Sequence, residues 1–147
     1  MNYAGFWRRF LALLIDSLIL AIPGLVVTGA SPHFATGIFA GVVLGFFYFP
    51  IFESSIMSAT PGKALMGIAV MTEAGERITY KTAVIRFFSH YLSAVLLYVG
   101  YLMQPFTSKR QTLHDMISGT VVVNYKSEDI NYFTAWKNEF KTVFDKL

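Results

Sequence analysis

Apolar and polar residues alternate in long blocks along this chain. One apolar run extends from about Phe10 to Thr28 and a second from about Phe34 to Phe52, with the short polar turn TGASPH (28–33) between them. A helix of about 19 residues is roughly 28 Å long, which is close to the thickness of the bilayer's hydrocarbon core. The pattern therefore predicts two antiparallel membrane-spanning helices joined as a hairpin.

Three glycines in the second run follow one another at four-residue steps. Gly37, Gly41 and Gly45 would lie on one face of a helix. Small residues at this spacing let another helix approach closely. We expect this face to pack against a helix of the same chain or of a second copy. The alternative is the general enrichment of glycine in membrane helices.

The chain becomes polar after Glu53, and its pattern then changes to a period of two. The segment GIAVMTEAGERITY (67–80) alternates between apolar and polar residues and is broken at Ala74-Gly75. Alternation interrupted by a turn is typical of a β-hairpin. A small hairpin is therefore predicted next to the membrane, on the cytoplasmic side.

A third apolar region, from about Ala83 to Phe106, leaves the topology open. Its roughly 24 residues suffice for one crossing but not for two at about 1.5 Å per residue. A single crossing would place the lysines that follow on the outer face, against the positive-inside rule. A re-entrant helical hairpin would return to the same side and let TVVVNY (120–125) pair with a strand near Val70. Both alternatives remain.

The last part of the chain, 126–147, forms a separate segment after a membrane domain over 1–125. Its aromatic residues Tyr132, Trp136, Phe140 and Phe144 recur every four positions. This spacing predicts an amphipathic helix, either on the membrane surface or packed against the protein.

Composition supports a membrane location. Hydrophobic residues make up 54% of the chain and charged residues 14%, whereas soluble domains have about 25% charged residues. The expected partner is the lipid bilayer and not nucleic acid, because the basic residues lie beside the apolar runs. Asp16 and the length of the first run argue against a cleaved signal peptide.

The distribution of basic residues also predicts an orientation. Arg8 and Arg9 precede the first run, and Lys63, Arg77 and Lys81 follow the second, whereas the turn between the runs has no Lys or Arg. The positive-inside rule therefore places the N-terminus in the cytoplasm.

A carboxylate inside the first run requires an explanation. Arg9 and Asp16 are seven residues apart, so they lie within about 20° on one helical face but about 10 Å apart along the axis. An aspartate inside the membrane costs about 2.5–3.5 kcal/mol on insertion scales. We expect Asp16 to have another partner, such as water, Arg86 or a neighbouring subunit.

Further charged residues occur near the ends of the apolar segments. Glu53 ends the second run, Arg86 lies near the start of the third, and His114-Asp115 follows the third. The three histidines are scattered without a metal-ligand spacing, there is no cysteine, and no nucleophile has an evident base. We therefore expect no metal, no cofactor and no enzymatic activity.

Four segments in this order resemble the RDD family of small prokaryotic membrane proteins: GFWRRFLALLIDSLIL, ATPGKALMGIAV, GERITYKTAVIRF and KRQTLHDMISGTVVV. The resemblance covers about residues 4–124. The family is named for one arginine and two aspartates, which match Arg9, Asp16 and Asp115 here. It implies a multi-pass protein of the bacterial cytoplasmic membrane. For some members it also implies transport or sodium–proton exchange.

Two hypotheses for function follow. In the first, the chain transports an ion or small solute, with a small cation or a proton as ligand. Asp16 is then the carrier, Arg9 tunes its charge and Asp115 is a second acid at the cytoplasmic mouth. So small a transporter would need a homo-oligomer or a membrane partner. In the second, the protein is a non-transporting scaffold, and the Arg and Asp residues only hold the helices in register.

Overall fold

The fold is mostly helical, with one small sheet. A computed structural model describes residues 1–29, 34–95, 104–125 and the single residue 141. The elements in chain order are α1 (Phe6–Gly29), α2 (Phe34–Ser54), α3 (Pro61–Leu65), β1 (Ile68–Thr72), α4 (Tyr80–Val95), a 3₁₀ turn (Gln104–Phe106), α5 (Leu113–Ser118) and β2 (Thr120–Asn124).

The two long helices predicted from the apolar runs are confirmed as α1 and α2. Phe6–Val26 and Ala35–Ser54 are each long and apolar enough to cross a membrane, and only 11% and 17% of these spans are buried in the protein. A core helix of a soluble protein would bury most of its residues. Most apolar side chains of α1 and α2 therefore face outward, which suits a lipid environment.

The sheet consists of two antiparallel strands that are distant in sequence. β1 pairs with β2 in a register that places Val70 opposite Val122. This long-range pairing was predicted for the re-entrant alternative. The prediction that β1 pairs mainly with the segment after Gly75 is wrong. That segment forms only one bridge to β1, between Met71 and Arg77. Val121, Val122 and Val123 present a stronger apolar strand to β1 than the polar segment after Gly75 does.

The N-terminal residues extend the sheet on the other side of β2. Tyr3 forms a bridge with Val123, and the Ala4 amide donates to the Val122 carbonyl at 2.8 Å. The residues before α1 therefore lie together with β1, the turn after it and β2. We call this part of the protein the polar unit. A small core that includes Ile68, Val70 and Val122 holds this unit together.

Helix α4 packs against α2 and against α5, and α2 also packs against α1. Phe87 of α4 contacts Phe46 and Phe49 of α2, with ring centroids 5.9 and 6.3 Å apart. A Cβ on Gly45 would lie 3.3 Å from the Phe87 ring, whereas a Cβ on Gly41 would meet nothing within 4 Å. Of Gly41 and Gly45, Gly45 is thus the position at which α4 approaches α2 closely.

Several predicted features lie outside the described residues. The amphipathic helix expected over 126–147 is among them, apart from residue 141, which is helical. The stretch 96–103, in the middle of the third apolar region, is another. The end of α4 at Val95 and the turn beginning at Gln104 bracket it.

Candidate functional site

The carboxylate of Asp16 is fully buried and is held by three neutral donors. Tyr48 Oη of α2 donates to Oδ1 at 2.8 Å, Thr60 Oγ1 donates to Oδ2 at 2.6 Å, and the Gly62 amide donates to Oδ1 at 2.8 Å. The partners expected from the sequence were water, Arg86 or a second subunit. The structure instead supplies donors from α2, from α3 and from the N-cap of α3, all in the same chain.

Helix α3 can reach Asp16 because of its unusual start. Thr60 is its N-cap and accepts a hydrogen bond from the Lys63 amide, and Pro61 occupies the first turn, where no N–H is needed. Gly62 follows, and a Cβ there would lie 2.3 Å from the Ala12 carbonyl oxygen and 2.8 Å from Asp16 Cγ. Only glycine permits this contact between the backbones of α1 and α3.

A second cluster of charges is centred on Arg86 of α4. Its guanidinium pairs with Asp115 of α5, lies 3.2 Å from Glu53 Oε2 of α2 and donates to Thr120 Oγ1 at 2.7 Å. The arginine and both acids are almost completely buried. One planar guanidinium therefore joins α2, α4, α5 and β2. Arginine can do this because its five N–H donors point in fixed directions.

Two further cations complete the cluster. Arg9 of α1 donates to Asp115 Oδ2 at 2.5 Å and to the Arg110 carbonyl at 2.8 Å. Lys63 of α3 pairs with Glu53. Each of the two acids thus binds two cations, and the network connects helices α1 to α5.

Asp115 is ionised at neutral pH. Burial alone would raise its pKa, but the charges of Arg86 and Arg9 outweigh burial and hold the pKa well below its usual value. The Thr112 amide also donates to Oδ2 at 3.0 Å, so the carboxylate additionally closes the first turn of α5. The local sequence TLHD therefore both starts a helix and orients the acid.

His114 lies beside this network in the neutral form. Burial lowers its pKa well below the usual value, and the neighbouring His90 lowers it further. The two imidazole rings stack with centroids 3.6 Å apart. Nε2 of His114 is 2.8 Å from Thr112 Oγ1, so the ring is locked against the start of α5.

The two clusters meet at a cavity of about 310 Å³. Its polar lining consists of Arg9, Asp16, Lys63, Arg86, His90, Tyr91, Gln104, Thr112 and His114. Its apolar lining consists of Phe6, Phe10, Leu13, Phe49, Phe87 and Val122. The volume is at the lower end of the roughly 300–1,000 Å³ of ligand pockets. The mixture of aromatic walls and converging polar groups is also typical of a binding site.

The structure brings most of the predicted site residues together, but in two groups. One group is the ion-pair network, which contains Arg9, Arg86, Glu53, Asp115 and His114. The other is the separate hydrogen-bonded group of Asp16, which also lines the cavity. Arg9 therefore pairs with Asp115 and not with the acid on its own helix. Gly37, Gly41 and Gly45 line no part of the cavity formed by the described residues.

Sequence reasoning missed Tyr48, Thr60, Gly62 and Lys63 as site residues. A signal was present in TPGK, because Thr-Pro is a helix start and a glycine inside a helix indicates close packing. Its target on α1 could not be found from one sequence. In the ranges 1–29, 34–95 and 104–125, no group of three acidic or histidine side chains is arranged to hold a metal ion.

Comparisons with known proteins agree with the resemblance. The sequence model of the RDD family matches residues 3–119. Uncharacterized protein YxaI of Bacillus subtilis is 32% identical over 146 residues, covering 82% of this chain and 96% of that protein. Uncharacterized membrane protein YteJ of the same organism is 29% identical over 140 residues, covering 84% and 82%. No solved structure matches the chain.

Proposed function

Because this chain belongs to the RDD family, we propose that it is an integral membrane protein that carries an ion or small solute through the cavity, using Asp16 as its proton-exchanging group. The observation that carries this proposal is the position of Asp16. Of the three buried acids in the described part of the chain, Asp16 is the one that lines the cavity, and the partners described for it there are neutral donors. A proton or cation can join such a carboxylate without first breaking an ion pair.

The proposed topology has two full crossings, α1 and α2, and a third apolar region that re-enters from the cytoplasm. The pairing of β1 with β2 supports it, since strands on either side of that region can pair only on one face of the membrane. Gln104 supports it as well, because its side-chain amide donates to the Ala4 carbonyl at the start of α1, at 3.1 Å. Irregular backbone at membrane depth is tolerated where protein surrounds it.

Cysteine labelling in cells tests this topology. Ser31→Cys, between the two crossings, should react with an impermeant maleimide from outside. Ser108→Cys should react with the same maleimide only after the membrane is permeabilised. External labelling of Ser108→Cys would instead establish a single crossing by the third region.

Flux measurements test the transport function. Purified protein in liposomes with a pH-sensitive dye inside should show proton movement when a sodium, potassium or lithium gradient is applied, which is the exchange that the resemblance implies. Asp16→Asn should abolish this signal. The matched control is Glu73→Gln, which removes an exposed acid of the polar unit. Unchanged flux in Asp16→Asn would refute the role of this carboxylate.

The ion-pair network favours a second candidate, a scaffold that moves no ligand. Arg86 alone connects three helices and β2, which is what holding helices in register requires. In that case no gradient would produce flux, and Arg86→Met would disrupt the assembly of a membrane partner or of a homo-oligomer. A stable assembly of the wild type in native mass spectrometry, together with no flux under any gradient, would distinguish the scaffold from the transporter.

A further inference from the structure

We propose that the occupant of the cavity is a small organic anion with an apolar body, such as an aromatic or short aliphatic carboxylate. This inference deepens the proposed function, because it names the solute class of the same cavity. It rests on three properties of the wall: the sign of its charges, its available N–H donors and its aromatic surface.

The charges that the described residues place at the wall are mostly positive. Arg9, Lys63 and Arg86 line the cavity, against one carboxylate, Asp16. Glu53 and Asp115 do not line it, and each is bound to cations that do. A solute inside the cavity therefore meets three cationic groups directly and the balancing acids only behind them. Charge complementarity favours an anion over an alkali cation at this position.

The wall also offers donors that have no acceptor in the described part of the chain. Nε of Arg9 is buried and makes no hydrogen bond there. The Lys63 ammonium has three N–H groups, and its pair with Glu53 uses one of them. A buried N–H without an acceptor is costly. A carboxylate accepts through two oxygens, so its chemistry suits a wall on which two residues carry N–H donors.

The remainder of the wall fits an apolar body. Phe10, Phe49, Phe87 and Tyr91 supply aromatic rings from α1, α2 and α4. Water would gain little from such surfaces, whereas an aromatic or aliphatic group gains from leaving bulk water. The volume of about 310 Å³ limits the body to that of a small molecule. An inorganic anion would leave these rings unoccupied.

Equilibrium binding of radiolabelled benzoate to the full chain tests the inference. The protein is placed in phosphatidylcholine nanodiscs, so that no anionic lipid competes. Benzoate should bind saturably, and octanoate should displace it. Benzamide and benzylamine have the same ring with a neutral or a cationic group, and they should compete at least about tenfold more weakly, a difference of about 1.4 kcal/mol. Equal competition by all three would overturn the charge assignment.

Variants then locate the site. Lys63→Met should weaken benzoate binding at least about tenfold, and Lys109→Met, which removes an exposed lysine outside the cavity, should not. The double variant Lys63→Met/Glu53→Gln removes both members of the pair. It is used if the single variant fails to fold, because Glu53 then does not stay buried with one cation fewer. Phe10→Ala should weaken binding, whereas Phe88→Ala, on an exposed ring outside the cavity, should leave it unchanged. Unaltered binding in both Lys63 variants would refute this site.

Two further results separate the possible outcomes. Phosphatidylglycerol that displaces benzoate at a few lipids per protein would assign the site to an anionic lipid and overturn the free-acid proposal. Benzoate binding without proton movement above that of protein-free liposomes, under a cation gradient and under a benzoate gradient, would refute transport and leave the inference standing. Cation-driven proton movement without benzoate binding would refute the inference and leave transport standing.

Discussion

Replacing Arg86 by methionine should be among the most destabilising single changes in the described part of the chain. Its side chain is 2% exposed, and it is paired with Asp115 and Glu53, which are 0% and 3% exposed. Methionine keeps much of the volume but removes the guanidinium. Two buried carboxylates would then share one fewer cation, with Arg9 left for one and Lys63 for the other.

The size of the effect follows from burial. Removing one partner of a buried ion pair costs about 3–5 kcal/mol, because the other partner stays buried without compensation. Arg86 serves two acids and also bonds Thr120, so the upper part of this range is expected. For a chain of this size, 1 kcal/mol corresponds to roughly 4 °C in the melting temperature. The variant should therefore melt about 16–20 °C below the wild type.

Thermal unfolding in one detergent, followed by tryptophan fluorescence, measures this difference. The melting temperature of Arg86→Lys should lie between those of the wild type and Arg86→Met. One ammonium keeps the charge but cannot bridge both acids as the guanidinium does. The matched control is Lys109→Met, which breaks the exposed pair with Glu73. Exposed pairs contribute little, so this control should melt like the wild type. If Arg86→Met melted no lower than Lys109→Met, the buried network would not be holding the helices together.

Two other sets of variants test separate parts of the structure by the same melting assay. Gly62→Ala should destabilise the protein by about 1–3 kcal/mol or more, because its Cβ would lie 2.3 Å from the Ala12 carbonyl oxygen. Gly41→Ala has open space and should gain about 0.5–1 kcal/mol; a loss there would instead reveal a packing partner. Since the folded protein lowers the pKa of His114 by burial and by His90, the unfolded chain binds more protons below its pKa of about 6.5, and stability should decline as the pH falls below that value. His114→Gln should flatten this decline between about pH 7 and pH 5, and an unchanged slope would show that another group causes it.

Much of the architecture could be predicted because it depends on local patterns. The existence and approximate position of α1 and α2 follow from apolar runs of the length that a bilayer requires, although α1 begins at Phe6, four residues before the predicted run. The strand Thr120–Asn124 follows from a β-branched run. The choice of its partner did not follow from alternation alone, since the segment after Gly75 alternates as well but forms only one bridge. Register between distant strands depends on which apolar faces can be buried together.

The sequence by itself determined that Arg9, Asp16, Glu53, Arg86 and Asp115 need partners, because charges beside or inside apolar helices are costly without them. Only the tertiary structure decided which partners they have. Arg9 binds an acid 106 residues away. Asp16 is held by α3, which can approach α1 because Gly62 has no Cβ. Such pairings depend on how helices cross and on how closely their backbones meet. One-dimensional spacing does not contain that information.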